Sequence, residues 1–352
     1  MSEHILLHPL GLLAGRAAQA AVKEGKAGWL AGGPLAFSLA EIIQGEAGAA
    51  TRESVEYGAL AASSESAVAG MLERVSAQRA PLCGLTFDAP RIMGVVNVTP
   101  DSFSDGGLYD SAEAAVAHAA RLISEGAAII DVGGESTRPG AEPVEAELES
   151  ARILPVISGL RGVDALISAD TRKADVIARA AEAGAQIIND ISALTYDPDS
   201  LGTVAAAGLP VILMHAQGDP RTMQDNPTYA DVVLEVFAFL AERIEACVKA
   251  GIGRERIIAD PGIGFGKTTA HNLELLASFS LFHGLGVPLL IGVSRKRFIG
   301  ELTGEAEPAQ RVAGSLAGAL AAVSKGCQIL RVHDVRETAR ALAVWERAIH
   351  GP

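Results

Sequence analysis

The stretch SAEAAVAHAARLISEGAAIIDVGGESTRPG, residues 111–140, holds a helical pattern, a strand pattern and a polar loop in direct succession. Its alanine-rich first part spaces its apolar residues as a helix does, and Gly126 stands where such a helix would end. The apolar run AAIIDV at 127–132 has the length of a buried strand, and a turn rich in Gly and Pro follows it. A helix that leads directly into a buried strand is typical of a parallel sheet.

The same unit recurs along the chain from about residue 91. Eight apolar runs of strand length are present: IMGVV, AAIIDV, ALISAD, QIIND, PVILM, RIIAD, PLLIGV and QILRV. Alanine-rich helical segments separate most of them, and two more of these segments close at Gly184 and Gly251. Eight such units fit a (β/α)8 barrel, which usually has about 250 residues. A doubly wound open sheet is the alternative, but it often carries a Gly-rich dinucleotide loop that this sequence lacks. We therefore predict an α/β fold, a TIM barrel.

Residues 1–88 do not share this rhythm, so we predict an N-terminal accessory segment at 1–88 and the barrel at 89–352. Within the segment, GWLAGGPLAFSLAEIIQ at 28–44 suggests a turn and a helix. The stretch SESAVAGMLERVSAQ at 64–78 predicts an amphipathic helix. The sequence does not indicate what the segment does.

The composition restricts the class of protein. The 352 residues carry a net charge of −13, which argues against general binding to nucleic acid or to an anionic membrane surface. Cys83, Cys247 and Cys327 share no metal-ligand spacing, so we expect reduced structural thiols. We also find neither a signal-peptide pattern nor an apolar run of about 18 residues that could span a membrane. We expect a cytosolic protein without nucleic-acid or membrane partners.

Polar or ionisable residues follow every predicted strand. In a parallel barrel the carboxyl ends of the strands meet at one face, where the chemistry of barrel enzymes is found. One such residue alone is most often a helix cap or a solvated strand end. Eight strand ends that all finish in this way predict a shared site, and the residues concerned are Asn97, Asp131, Asp170, Asn189, Asp190, His215, Asp260, Ser294, Arg295, Lys296, Arg331 and His333.

The loops at this face indicate the kind of ligand. NVTPDSFSDGG at 97–107 is rich in turn residues and suits a mobile lid. GGESTRPG at 133–140 offers Thr137 and Arg138 to an oxyanion. DPGIGFGK at 260–267 fails the nucleotide P-loop pattern, because Pro261 stands where that pattern needs glycine. Arg331 and His333 share one face of the last strand and, with SRKR at 294–297, predict an anionic substrate.

These motifs together resemble the dihydropteroate synthase family. The resemblance covers residues from about 91 to the C-terminus, and it depends on NVTPDSFSDGG, GGESTRPGA, ISADT, IINDISA, LMHAQGDPRTMQ, DPGIGFGK, GVSRK and RVHDV in that order. It implies an enzyme of folate biosynthesis and a sulfonamide target. The implied reaction joins 6-hydroxymethyl-7,8-dihydropterin pyrophosphate to p-aminobenzoate, with Mg²⁺ required, and forms 7,8-dihydropteroate and pyrophosphate. It also implies a homodimer whose other partners are these small-molecule substrates.

The resemblance implies roles for individual residues of this chain. Asp170, Asn189 and Asp260 would hold the pterin edge, and Lys296 would meet its oxo/N5 side. Asn97 would help to hold Mg²⁺ and pyrophosphate. The remaining positions would lie near the phosphates or the p-aminobenzoate: Thr137, Arg138, Arg331 and His333 at the anionic groups, Phe103, Asp105 and Pro139 on the two closing loops, and Phe265 and Ser294 beneath them. Catalysis would depend on Lys296, Asp260, Arg331 and His333.

Two other functions remain open at this point. A methyltransferase of the pterin-binding superfamily, which moves a methyl group from methyltetrahydrofolate to a corrinoid, would keep the pterin carboxylates. It would have no need of the STRPG turn or of the Arg331 and His333 anion site. A non-catalytic pterin-binding protein should lack an intact NVTPDSFSDGG lid, which this chain has. The chain departs from the usual family pattern at Ala169, Ile263 and Arg297.

Overall fold

The computed structural model describes residues 5–98, 108–136, 142–218 and 222–350, and at 108–111 and 350 it describes the backbone alone. In these ranges the chain forms an N-terminal antiparallel sheet followed by a parallel barrel. No helix of the described ranges is long and apolar enough to cross a membrane.

The N-terminal unit is a small sheet with helices. Its elements are β1 Ile5–Leu13, α1 Gly15–Lys23, β2 Gly28–Trp29, β3 Ala36–Gln44, β4 Thr51–Glu56, α2 Tyr57–Ala61 and α3 Ser66–Ser76. The central strand β3 pairs with β1 on one edge and with β2 and β4 on the other, antiparallel in each case. The predicted helix α3 is confirmed.

The helix predicted within residues 28–44 is wrong, because Ala36–Gln44 form the strand β3. The strand has buried residues on both faces: Ala36 and Ala40 lie on one face, and Phe37 and Ile43 lie on the other. A strand buried on both faces loses the apolar–polar alternation that identifies a half-buried strand. Its buried residues therefore took on a spacing that resembles a helix.

The barrel predicted from the sequence is confirmed. Its strands are β5 Arg91–Asn97, β6 Ile129–Gly133, β7 Leu166–Asp170, β8 Ile187–Asp190, β9 Val211–Met214, β10 Ile257–Asp260, β11 Leu290–Ile291 and β12 Ile329–Val332. Its helices are α4 Leu108–Ser124, α5 Ala146–Gly159, α6 Ala174–Ala183, α7 Ser200–Ala207, α8 Val232–Lys249, α9 Thr269–Ala277, α10 Arg297–Thr303, α11 Val312–Val323 and α12 Val335–His350. The eight strands run parallel in the order β10-β9-β8-β7-β6-β5-β12-β11, and a bridge between Ala259 and Leu289 closes the ring.

The barrel interior is apolar at one end and polar at the other. Near the amino ends of the strands, one cluster contains Met93, Ile129, Leu166, Ile187, Ile212, Ile258, Leu290 and Ile329. Side chains two residues further along a strand point to the same face. These next positions are Val95, Asp131, Ser168, Asn189, Met214, Asp260, Gly292 and Arg331. The apolar end seals the barrel, and the polar positions form the floor of the site.

A short turn closes the sealed end from below. Leu82 is buried in the apolar cluster, and Leu85 and Phe87 pack against it. Leu82 and Leu85 exchange backbone hydrogen bonds of 3.0 and 2.8 Å, so the turn is held in shape before it enters β5. The accessory segment predicted to end at residue 88 thus includes a piece that packs inside the barrel.

This packing leads to a prediction about truncation. We expect residues 89–352 to fold less stably than residues 78–352, because only the longer chain keeps Leu82, Leu85 and Phe87 at the barrel bottom. Removal of one large buried aliphatic side chain typically costs about 2–5 kcal/mol, so loss of all three should lower the unfolding midpoint clearly. Urea unfolding of the two purified fragments measures the difference. Equal midpoints would show that the turn does not stabilise the barrel.

Candidate active site at the carboxyl end of the barrel

A buried ionic cluster occupies the polar floor. The guanidinium of Arg331 donates from Nε to Asp131 Oδ2 and from Nη2 to Asp170 Oδ2, each at 2.7 Å. Asn189 Nδ2 also donates to Asp131 Oδ2, at 3.0 Å. Strands β12, β6, β7 and β8 bring these residues together because each places an alternate side chain inside the barrel. Asp131 Oδ1 and the buried Ser168 Oγ have no hydrogen-bond partner within the described ranges, so the floor retains unused polar atoms.

A second part of the site lies between β10 and the turn after β11. Asp260 is buried, and its Oδ1 accepts from the backbone N–H of Gly262 at 2.7 Å. Lys296 Nζ lies 4.0 Å from the centre of the Phe265 ring. Gly264 has φ +83°, and a Cβ atom there would lie 3.1 Å from Lys296 Cδ, so a larger residue would crowd the lysine. The absence of a side chain at Gly264 therefore leaves room for Lys296 beside the Phe265 ring.

Burial shifts the protonation of these groups. Burial, with the neighbouring Asp131 carboxylate, raises the pKa of Asp170 against the attraction of Arg331. Burial also raises the pKa of Asp260 to about 6, and burial together with Arg331 lowers the pKa of Lys296 to about 8. The pKa of His333 falls to about 3 because the ring is buried and lies near Arg331 and Arg295. His333 is therefore neutral at physiological pH, and Ser294 Oγ lies 3.1 Å from its Nδ1.

The opposite directions of two shifts predict a bell-shaped pH profile for kcat/KM. A carboxylate that accepts hydrogen bonds from a substrate must be ionised, so activity that depends on Asp260 is lost as pH falls through about 6. An ammonium group that acts on developing charge must be protonated, so activity that depends on Lys296 is lost as pH rises through about 8. Steady-state rates between pH 5 and 9 test this. A profile flat across that range would remove both groups from the reaction.

The basic turn SRKR supplies fewer cations to the pocket than its sequence suggests. Arg295 forms two hydrogen bonds to Asp334, at 3.0 and 2.5 Å, and so fastens the turn to the start of α12. Arg297 is 63% exposed and pairs with Glu301 on its own helix. Of the three cations, Lys296 is the one directed to Phe265.

The described residues among those predicted lie together at this face. Asn97, Asp170, Asn189, Asp260, Phe265, Ser294, Lys296, Arg331 and His333 are on the barrel strands or on the loops that follow them. Phe103, Asp105, Thr137, Arg138 and Pro139 fall outside the described residues, so their positions stay predictions. The departures at Ala169 and Ile263 are buried in the outer core between barrel and helices, and Arg297 is exposed.

Three features of the site were not predicted from the sequence. The first is the role of Asp131, which was noted only as a strand end. Asp131 is fully buried and orients both Arg331 and Asn189. Lys267 is also buried, and its Nζ lies 2.9 Å from His215 Nδ1 while donating to the Phe265 carbonyl at 3.0 Å. The third is an ionic cluster at the base of the loop 133–140, where Glu135 pairs with Arg172 and Lys173, and Lys173 also pairs with the buried Glu149. A lysine directly after a glycine loop was the available signal for Lys267.

The side-chain oxygens at this face could bind Mg²⁺ only if a substrate supplied the remaining ligands of the metal. The described residues contain no cluster of three or more His, Cys, Asp or Glu side chains that could hold a metal ion. Asn97 Oδ1 and Asp170 Oδ2 both approach Gly133, where a Cβ atom would lie 3.7 and 3.6 Å from them. Mg²⁺ prefers oxygen ligands and is often bound by one or two protein groups together with substrate phosphates. The residues present fit that kind of site.

Comparison with known proteins agrees with this geometry. Residues 93–333 match the family model described as pterin binding enzyme. A dihydropteroate synthase of Neisseria meningitidis is 53% identical over 264 residues, which are 74% of this chain and 93% of that protein.

Two solved structures are also similar. A dihydropteroate synthase of Xanthomonas albilineans in complex with 7,8-dihydropteroate has a TM-score of 0.69 and 49% identity, and the match covers 76% of this chain and 97% of that one. A dihydropteroate synthase of Yersinia pestis with a sulfonamide drug complex has a TM-score of 0.71 and 48% identity, over 75% of this chain and 96% of that one. The region that the family model matches, residues 93–333, lies in the barrel.

Proposed function

Since the chain belongs to the pterin-binding enzymes, and within them to the dihydropteroate synthases, we propose specific roles for the residues of its barrel floor. The enzyme condenses 6-hydroxymethyl-7,8-dihydropterin pyrophosphate with p-aminobenzoate to 7,8-dihydropteroate and releases pyrophosphate. The observation that supports the roles best is the polar floor itself. It places two buried carboxylates and two cations, Asp170, Asp260, Lys296 and Arg331, at the mouth of a barrel that is apolar below.

The floor suits a pterin. A pterin presents adjacent ring N–H and amino donors along one edge, in the manner of a guanidine. Asp260, Asp170 and the side-chain carbonyl of Asn189 are acceptors that match such an edge. Phe265 offers a flat apolar surface beside Lys296, which lies 4.0 Å from its ring. The ligand would thus be recognised by its edge and covered on its face.

The reaction needs charge stabilisation more than a nucleophile. The arylamine nitrogen forms a bond to the exocyclic methylene carbon of the pterin, the carbon–oxygen bond to pyrophosphate breaks, and the amine loses a proton. Lys296 and Arg331 stabilise the negative charge that develops on the leaving group. Asn97 would help to hold Mg²⁺, which would supply further positive charge at the leaving group. Thr137, Arg138 and His333 would contact the anionic groups, and Phe103, Asp105, Pro139 and Ser294 the p-aminobenzoate.

Turnover by the purified protein is the direct test of these roles. Incubation with pterin pyrophosphate, p-aminobenzoate and Mg²⁺ should release one pyrophosphate for each dihydropteroate formed. Omission of Mg²⁺ with a chelator should slow the release strongly. A methyltransferase or a pterin-binding protein without activity would release none, and a rate that does not change with Mg²⁺ would reject the role given to Asn97.

We also propose that the enzyme is a homodimer. An exposed apolar face of helix α11 supports this proposal. Ala313, Ala317 and Ala321 recur at helical spacing and are exposed, and Leu316 and Leu320 beside them are only half-buried. A contiguous exposed apolar face of this kind is typical of a subunit interface. We expect Ala317→Arg to convert a dimer to a monomer, which sedimentation equilibrium would detect. A parent protein that sediments as a monomer would reject the dimer.

We place the enzyme in the cytosol on the state of its thiols. Cys83, Cys247 and Cys327 are all free, and two of them are buried. Free thiols are typical of a reducing compartment.

A further inference from the structure

The N-terminal unit reaches the active-site end of the barrel. The loop between β3 and β4, residues 45–50, packs its Ala47 and Ala50 against the barrel core. Gly48 at its tip has φ +81°, and a Cβ atom there would lie 3.4 Å from the Cβ of Ala230. Ala230 precedes α8, which follows β9, so this contact lies at the carboxyl end of the strands.

An ion pair strengthens the same contact. Arg52 on β4 donates from Nη2 to Asp231 Oδ2 at 3.1 Å. The other oxygen of Asp231 accepts from the backbone N–H groups of Val233 and Leu234 and so caps α8. Glu41 lies 3.5 Å from Arg52 and keeps the guanidinium directed toward the barrel. The hairpin thereby fixes the residues just before α8.

Those residues in turn hold the loop that carries Phe265. Tyr229 Oη donates to the Gly266 carbonyl at 2.8 Å. Gln224 Nε2, from the same segment, donates to the Gly264 carbonyl at 2.7 Å. The two bonds flank Phe265, the ring beside Lys296. One residue separates Tyr229 from Asp231, so the path from the hairpin to the pterin loop 262–266 is short.

We propose that the β3–β4 hairpin is a positioning element for the pterin loop 262–266, acting through the segment Tyr229–Asp231. It touches no substrate. Its effect is to restrict the conformations of the loop before the pterin binds, which raises the fraction of protein competent to bind. The inference rests on the proposed function for its kinetic consequence, but the ordering of the loop exists without any substrate.

Variants along the path should weaken pterin binding and leave the chemical step unchanged. One hydrogen bond contributes a factor of about two to ten, so Tyr229→Phe should raise KM for pterin pyrophosphate by that factor with kcat nearly constant. Arg52→Ala should raise it by up to about fivefold, since the pair is partly exposed. Because both act on one path, the double variant should fall short of the product of the two effects. Exposed Arg16→Ala on α1 is the matched control and should change nothing.

A shortened hairpin tests the same idea with the sheet preserved. Gln44 and Thr51 are paired neighbours, so replacing residues 45–50 by Asn-Gly should keep the register while removing Ala47, Gly48 and Ala50 from the interface. Hydrogen exchange on the apo protein should then be faster at amides 262–268 in this variant and in Arg52→Ala, but not in Arg16→Ala.

Unchanged exchange at 262–268 in a variant that keeps its circular dichroism would overturn the proposal, whatever the enzyme activity. So would a lower unfolding temperature with unchanged KM, because that is the result of a purely structural contact. If the parent protein shows no turnover but the variants still exchange faster than the parent at 262–268, the proposed function is rejected and the positioning role is kept.

Discussion

Lys296→Ala is expected to lower kcat/KM by roughly 10²-fold or more while the barrel stays folded. Its ammonium group is the cation of the SRKR turn that faces the pocket, and loss of one preorganised donor to developing charge typically has an effect of this size. The side chain lies beside the Phe265 ring at 4.0 Å rather than in the apolar cluster that seals the barrel, so its removal should cost little stability.

The control for this variant is the next residue in the chain. Arg297→Ala removes an equally basic side chain that is 63% exposed and pairs with Glu301. We expect kcat/KM within about twofold of the parent, since surface pairs contribute little. Steady-state rates and circular dichroism of both variants are the measurements. Near-parental activity in Lys296→Ala, with an intact fold, would remove the lysine from the mechanism.

Asp260→Asn is expected to raise the KM for pterin pyrophosphate by about 10²-fold or more. The substitution keeps the shape but turns one acceptor oxygen into an NH₂ donor, which then faces the donors of the pterin edge. Mismatched donors in a buried site cost a full desolvation penalty on both partners. The bond from the Gly262 N–H can persist with the remaining oxygen, so the loop itself should keep its path.

Asp190→Asn is the matched control, because Asp190 is equally buried but points out of the barrel. Its carboxylate accepts from the backbone N–H groups of Ser192 and Leu194, and so it shapes the turn after β8. We expect a lower unfolding temperature but an unchanged KM for the pterin. Calorimetric titration of pterin pyrophosphate into each variant separates the two effects. If Asp260→Asn binds the pterin as the parent does, the edge is recognised elsewhere.

The sequence pattern of neighbouring residues was sufficient to predict the barrel and most of the polar residues at the carboxyl ends of its strands. Alternation of apolar runs with alanine-rich helices, punctuated by Gly126 and Gly184, is a local property, and it leaves few topologies once parallel strands must be connected. The polar residues that end the strands then had to meet at one face. For this reason Asp170, Asn189, Asp260, Lys296 and Arg331 could be named from the sequence.

What the sequence did not reveal depends on partners far away along the chain. Arg295 is held by Asp334, which lies 39 positions further along the chain. Strand β3 was not predicted because residues on both of its faces are buried, and one of them, Ile43, packs against the distant barrel. The link from Arg52 to Asp231 spans 179 positions of the chain. Only the tertiary structure decides such pairs, because local periodicity shows which side chains are buried but not which distant group they meet.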